Sequence, residues 1–194
     1  MIELRTIAVI GAGRLGRRLA YLSSRAGFDT VLEDVLPSNL RNAEASWIEL
    51  ADAGDTGVAP SVRYASSVED AVREADLIVD CVPDELESKL EIFSLLDRMA
   101  PPRSILATPT RALSIADLAS CTYRGERCVA LELPEEFLSI GPLPKAEPIG
   151  LVTTPQTLAE VAGAVAGFLH RLGLEIVSRV DAQEPSAAAA PTEP

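Results

Sequence analysis

The chain has 194 residues, 47% of them hydrophobic, which suffices for a single domain of ordinary size with a well-formed core. Its formal net charge of −12 argues against nucleic acids and anionic membrane surfaces as partners, because both attract basic patches. Three cysteines without CxxC spacing, Cys81, Cys121 and Cys128, predict reduced and mostly buried thiols, as in a cytoplasmic protein. A reactive thiol is the alternative for Cys81, which ends a hydrophobic strand.

The first apolar run, residues 7–10, leads directly into a Gly-x-Gly-x-x-Gly loop and then into a segment with helical periodicity. In a dinucleotide-binding loop the first glycine makes a tight turn, the second admits the pyrophosphate, and the third lets helix and strand pack closely. The free N–H groups at the start of the helix supply the anion site. We therefore predict that the loop binds a dinucleotide through Gly11, Ala12, Gly13, Arg14, Leu15 and Gly16. A glycine turn that binds nothing is the alternative.

A second predicted strand, residues 30–33, ends on Asp34. An acid roughly 20 residues after the glycine loop is the usual acceptor for the ribose 2′-hydroxyl of NAD. Glu33 precedes Asp34, so two acids would lie where NADP carries its 2′-phosphate, which predicts NAD(H) rather than NADP(H). Three arginines of the first helical turns could weaken this preference by reaching a phosphate: Arg14, Arg17 and Arg18.

The rest of the chain alternates strands and helices, which predicts a parallel sheet with helices on both faces. Further helices are predicted over residues 37–53, 68–74, 84–99, 115–119 and 157–172. Further strands are predicted over residues 62–64, 77–82, 104–107, 128–133, 149–153 and 175–180, with loops over 54–60 and 134–148. We expect a Rossmann-type, doubly wound α/β domain with a mainly parallel sheet over residues 1–181. The Ala/Pro-rich tail, residues 182–194, is expected to be disordered.

The order of these elements resembles the NAD-binding domain of the 3-hydroxyacyl-CoA dehydrogenases, from residue 5 to about residue 181. The similarity is strongest in Ile7-Ala-Val-Ile-Gly-Ala-Gly, in Ala75–Asp84 and in the run 93–110. The resemblance implies NAD as cofactor, with Asp84 and Lys89 as contacts beside the glycine loop and Asp34. The alternatives are a helix cap for Asp84 and a solvated helix charge for Lys89. In the family an all-helical domain follows, whereas this sequence stops, so a partner chain is one candidate source of that domain.

The residues with which the family transfers hydride are replaced in this sequence. By the resemblance, the catalytic histidine position holds Glu132, the asparagine position holds Glu135, and the serine position holds Arg111. The glutamate that orients the histidine maps near Gly150. The one histidine, His170, falls in the final turn of the last predicted helix, where the helix dipole favours a cation.

These replacements predict an NAD(H)-binding protein without the family's hydride transfer. We expect Glu132 and Arg111 to form an ion pair beside the nicotinamide. Residues 35–60 hold one basic residue, Arg41, against four acids, which would repel the phosphates of CoA: Glu44, Glu49, Asp52 and Asp55. Two alternatives stay open: a working dehydrogenase whose base is Glu132 or comes from a partner chain, and a scaffold that binds no nucleotide.

Overall fold

The computed structural model describes residues 2–50, 61–138 and 147–181, so the predicted loop 54–60 and the predicted tail lie outside the described residues. The strands are β1 (Thr6–Ile10), β2 (Asp29–Glu33), β3 (Val62–Ala65), β4 (Leu77–Asp80), β5 (Ile105–Pro109), β6 (Cys128–Glu132), β7 (Ile149–Thr153) and β8 (Ile176–Val180). The helices are α1 (Arg14–Arg25), α2 (Pro37–Leu50), α3 (Val68–Val72), α4 (Leu86–Met99), α5 (Ile115–Ser120) and α6 (Ala159–Arg171). Short 3₁₀ turns cover Gly125–Arg127 and Glu135–Leu138.

The strands form one sheet in the order β3-β2-β1-β4-β5-β6-β7-β8. The first six strands in this order run parallel to one another. β7 is antiparallel to β6, and β8 is parallel to β7. The predicted Rossmann-type fold with a mainly parallel sheet is therefore confirmed. The strand order reverses between β1 and β4, and doubly wound proteins bind ligands in the crevice at the carboxyl ends of such strands.

Both faces of the sheet are covered, because side chains alternate across each strand. In β1, Ile7 and Val9 pack with α1, α2 and α6, whereas Ala8 and Ile10 pack with α3, α4 and α5. These two apolar layers fix the position of the sheet. The loops after β1, β2, β4, β5 and β6 all leave it at the carboxyl ends of the parallel strands. Within the described ranges, the helices are too short or too polar to cross a lipid bilayer.

Candidate dinucleotide site and adjoining cavity

The glycine loop has two glycines that the protein itself requires. Gly11 has a φ of +99°, and a Cβ there would lie 3.1 Å from the carbonyl oxygen of Cys81. A Cβ on Gly16 would lie 1.8 Å from the carbonyl oxygen of Gly11, so a larger residue would push α1 away from β1. The N–H of Gly11 donates to the carbonyl of Glu33 at 2.9 Å, which ties the loop to β2.

Gly13 differs from the other two, because its backbone is extended, with φ −67° and ψ −174°, and a Cβ would meet nothing within 4 Å. It is the N-cap residue of α1, and neither a capping side chain nor an acidic residue occupies the first turn. The first N–H groups of α1 therefore receive no hydrogen bond from an N-cap side chain, and they lie at the positive end of the helix dipole. This geometry fits the pyrophosphate of a dinucleotide.

Asp34 is held against the glycine loop by three hydrogen bonds. Its Oδ2 accepts from the N–H of Ala12 at 2.9 Å and from Nδ2 of Asn39 at 3.0 Å, while Oδ1 accepts from the N–H of Leu36 at 2.8 Å. Asp34 as a whole is 9% exposed and directly follows the end of β2. This is the position that a ribose acceptor needs.

Glu33 does not join Asp34 at the loop, and in this respect the sequence interpretation was wrong. Neighbouring strand residues face opposite sides of a sheet, so Glu33 lies on the face that Val31 shares with α3 and α4. Its side chain is 2% exposed, and Oε1 has no hydrogen-bond partner in the described part of the chain. Burial raises the pKa of Glu33 to about 7, and the charge of Asp34 adds to the shift.

We predict that Glu33→Gln stabilises the protein at pH 8 by about 1–3 kcal/mol and has little effect at pH 4.5. The pKa of Glu33 in the folded state, about 7, lies above its ordinary value of 4.5. The folded state therefore holds the proton more tightly, and wild-type stability falls as pH rises through this interval, whereas glutamine cannot ionise. Urea unfolding of both proteins at the two pH values checks this, and an equal difference at both would contradict it.

The three arginines that could reach a phosphate differ in their surroundings. Arg18 is buried with its guanidinium 5.7 Å from the centre of the Phe137 ring, and burial lowers its pKa. Arg17 donates from Nε to the carbonyl of Gly13 and from Nη1 to the carbonyl of Asn42, each at 3.4 Å. Arg14 is exposed at the loop.

We predict that NADPH binds roughly 10- to 100-fold more weakly than NADH, because its 2′-phosphate would meet the Asp34 carboxylate. Asp34→Ser should narrow this ratio, since the repelling charge is removed. Glu33→Gln is the matched control and should leave the ratio unchanged, because Glu33 faces the other side of the sheet. Calorimetric titration of each protein with both nucleotides measures the ratio. Equal affinities in the wild type would contradict the assignment of Asp34.

Asp84 lies at the sheet edge between the glycine loop and β5. The N-cap of α4 is Glu85, so Asp84 does not cap that helix. Its Oδ2 instead accepts the backbone N–H of Arg111 at 3.2 Å, which joins the loops that follow β4 and β5. Asp84 is exposed and remains available to a cofactor at this edge.

Lys89 is a buried charge, not the solvated one that the alternative interpretation predicts. Its Nζ lies 2.9 Å from Oδ2 of Asp80, and the two side chains are 1% and 0% exposed. Oδ2 of Asp80 also accepts from Oγ1 of Thr108 at 3.0 Å, and its Oδ1 accepts from the N–H of Val82 at 3.0 Å. Lys89 is on the buried face of α4 with Ile92, so this structure gives it an internal partner instead of the predicted cofactor contact.

Cys81 directly follows β4, and its carbonyl faces Gly11. Burial raises the pKa of its thiol, an effect that Asp80 reinforces. A raised pKa disfavours the thiolate form that a reactive cysteine needs, so the structure supports the interpretation of Cys81 as a packing residue.

Glu132, at the histidine position, ends β6 directly opposite Gly150 of β7. A Cβ on Gly150 would lie 2.8 Å from Oε2 and 3.0 Å from Cβ of Glu132, so the side chain of Glu132 fills the space that Gly150 leaves. Glu132 forms an ion pair with Arg179 of β8. The predicted partner, Arg111, was wrong: no ion pair joins it to Glu132 among the residues that the structure describes.

Arg111 nevertheless shares a cavity with Glu132 and Arg179. The three residues line a cavity of about 490 Å³ beyond the ends of β5 and β6, and they also line a second cavity of about 470 Å³ with Gly150 and Val177. Asp84 links this region to the loop beside Gly11. Sequence reasoning missed Arg179, although a glycine inside a strand, here Gly150, often marks the close approach of another group.

Two further residues singled out in the sequence, His170 and Glu135, are not part of this cavity. His170 is exposed in the last turn of α6, as predicted. Its neighbour Arg171 donates to the carbonyl of Ala26 at 2.7 Å and lies 3.9 Å above the Phe28 ring, which places this turn where β2 begins. His170 is therefore at the opposite end of the sheet from the cavity. Glu135 is exposed at the start of a 3₁₀ turn.

Comparisons with known proteins agree with this geometry. Residues 6–182 match the family described as 3-hydroxyacyl-CoA dehydrogenase, NAD binding domain. The chain is 27% identical over 187 residues to a probable 3-hydroxybutyryl-CoA dehydrogenase of Bacillus subtilis, covering 90% of this chain and 63% of that protein. It is 29% identical over 195 residues to the mitochondrial hydroxyacyl-coenzyme A dehydrogenase of Sus scrofa, covering 93% and 60%. The chain thus spans somewhat less than two thirds of the length of these relatives.

A solved structure shows the same fold. The (S)-3-hydroxybutyryl-CoA dehydrogenase of Ralstonia eutropha superposes with a TM-score of 0.80 at 20% identity, over 93% of this chain and 65% of that one. The match over most of the chain settles the family, and the open glycine loop fits its cofactor, NAD. This chain belongs to the 3-hydroxyacyl-CoA dehydrogenase family, whose NAD-binding domain it contains at residues 6–182.

Proposed function

We propose that the chain is an NAD(H)-binding protein that does not carry out the hydride transfer of the 3-hydroxyacyl-CoA dehydrogenases. The observation that carries this proposal is the position of Glu132, which lies opposite Gly150 and is paired with Arg179. Oxidation of a secondary alcohol needs a group that accepts the hydroxyl proton near neutral pH, most often a histidine. Glu132 supplies a carboxylate in an ion pair with Arg179 at the position where the family has its histidine, so no imidazole base stands there.

The residues that would hold NAD are those of the glycine loop and the end of β2. The first turn of α1 would bind the pyrophosphate, Gly13 would admit it to the backbone, and Asp34 would accept from a ribose hydroxyl. Asp84, which follows β4, would contact the cofactor across the point between β1 and β4 where the strand order reverses. NAD, when bound, would supply a hydride acceptor, and these residues would hold it at the sheet edge that also carries Arg111 and Glu132.

The helix that follows Asp34 offers little to CoA. In the described part of this segment, Arg41 is offset by Glu44, so α2 presents no net positive charge from this pair. Glu49 has no described side chain, and Asp52 and Asp55 lie outside the described residues. A polyphosphate gains no electrostatic attraction from such a sequence.

Two measurements on the same purified protein test the proposal. Calorimetry should show NADH binding, and NADH formation from NAD and 3-hydroxybutyryl-CoA should not exceed that of buffer alone. Turnover by the wild type that is lost in Glu132→Gln would make Glu132 the base and overturn the proposal. Turnover that appears on addition of a helical partner chain would favour a completed dehydrogenase. Failure to bind NADH would favour a scaffold without nucleotide.

A further inference from the structure

The exposed face of α6 carries small residues in its middle and charged residues only at its ends. Gly163 and Gly167 are exposed, and a Cβ on either would meet nothing within 4 Å. The acid of this helix, Glu160, lies in its first turn, and its basic residues, His170 and Arg171, lie in its last. A helix surface that faces water normally carries polar side chains along its whole length. The exposed residues of α4 follow that rule and include Glu87, Glu91 and Arg98.

An apolar groove of about 450 Å³ lies beside this face of α6. It is lined by Leu4, Phe28 and Phe168 together with the two exposed glycines and Arg171. Leu4 and Phe28 come just before β1 and β2, so the groove is at the amino ends of these parallel strands, opposite the edge with the glycine loop. Covering such a groove removes apolar surface from water and leaves the nucleotide edge open.

The opposite charges at the two ends of α6 make its exposed face complementary to itself. A two-fold axis through the middle of the helix, between residues 165 and 166, sets Glu160 of one copy opposite Arg171 of the other, because both are equally far from the axis. Arg171 contacts the carbonyl of Ala26 and the ring of Phe28, which are uncharged groups. The two helix dipoles also run antiparallel in this arrangement, which is favourable.

We propose that this face is the interface of a homodimer, in which two copies of the chain pack α6 antiparallel against α6 with Gly163 and Gly167 at the crossing. The glycines let the helix backbones approach more closely than the usual separation of about 8–10 Å. The same patch on each copy forms the interface, as two-fold symmetry requires. A contact built on one helix and one groove per copy falls below about 1,200 Å², so the dimer should dissociate on dilution. It does not depend on nucleotide binding.

Sedimentation equilibrium of the full chain measures the dimer over a range of concentrations, at about 0.15 M salt to screen the net charge of −12. Gly163→Val should weaken the dimer at least roughly tenfold, because a branched side chain holds the helices apart. Gly13→Val is the matched control, since a Cβ there also meets nothing within 4 Å, and it should dimerise like the wild type. Urea unfolding of both variants shows that each is folded.

Charge reversal tests the antiparallel pairing itself. Glu160→Arg and Arg171→Glu should each weaken the homodimer, because like charges then meet at both ends of the contact. A mixture of the two variants should form a heterodimer, because opposite charges then face each other at both ends, and Gly163→Val in either variant should weaken it. A wild type that stays monomeric at every concentration would leave the groove to another occupant and overturn the inference. Unchanged dimerisation in Gly163→Val, or a mixture no more associated than the separate variants, would overturn it as well.

Discussion

Replacing Gly13 by valine is expected to abolish NADH binding and to leave the folded protein intact. A Cβ at this position would meet no protein atom within 4 Å, and the backbone, with φ −67°, suits any residue. Valine would instead occupy the open space above the first turn of α1, where the pyrophosphate must approach. Loss of its charge-assisted hydrogen bonds should weaken binding by roughly 100-fold or more.

Fluorescence titration with NADH measures the binding, and urea unfolding measures the stability, which should change by about 1 kcal/mol or less. Gly163→Val is the matched control, because a Cβ there would also meet nothing within 4 Å and Gly163 is exposed on α6. It should bind NADH like the wild type. Gly16→Ala should lose both binding and stability, because its Cβ would lie 1.8 Å from the Gly11 carbonyl oxygen. Normal NADH binding by Gly13→Val would show that the loop is structural.

The features that the sequence predicts well are those that depend on local pattern. Strand β1, the glycine turn and Asp34 follow from residues close together in the chain, whose spacing is fixed by one strand, one turn and one helix. The parallel sheet follows from the alternation of strands and helices. The tight turn at Gly11 and the close helix–strand approach at Gly16 are therefore predicted from the sequence and found in the structure, whereas the cofactor role of Gly13 stays a prediction.

The features that the sequence predicts poorly are the face of the sheet to which a strand residue points and the contacts between residues that are far apart in the chain. Glu33 and Asp34 are adjacent in sequence, yet the alternation of a strand sends them to opposite faces. The pairing of Glu132 depends on β7 reversing direction after the proline-rich segment, which brings β8 and Arg179 alongside. Nothing in the spacing from residue 132 to residue 179 fixes that arrangement, whereas the family resemblance places Arg111 at the serine position and so favours it as the partner.

Lys89→Met is expected to destabilise the protein by about 3–5 kcal/mol, since it leaves a buried carboxylate without its counter-charge. Nζ of Lys89 and Oδ2 of Asp80 are 2.9 Å apart, and both side chains are almost fully buried. Methionine preserves most of the aliphatic stem of lysine, so the loss reports the charge and its hydrogen bonds more than packing. The double variant Asp80→Asn/Lys89→Met lacks both buried charges, so it should recover much of the free energy of unfolding that Lys89→Met loses.

The stability deficit of Lys89→Met should also depend on pH, and its sign follows from Asp80. Burial raises the pKa of Asp80 above its ordinary value of 3.8, against the lowering effects of Lys89, the Val82 N–H and Thr108. Without Lys89 the pKa rises further, so the folded variant binds a proton that the unfolded chain releases. Its stability therefore falls more steeply than that of the wild type as pH rises above about 4, and the deficit should be larger at pH 8 than at pH 5. Urea unfolding of wild type, single and double variants at both pH values measures this. A pH-independent deficit, with the double variant no more stable than Lys89→Met, would show that the pair does not carry a buried charge.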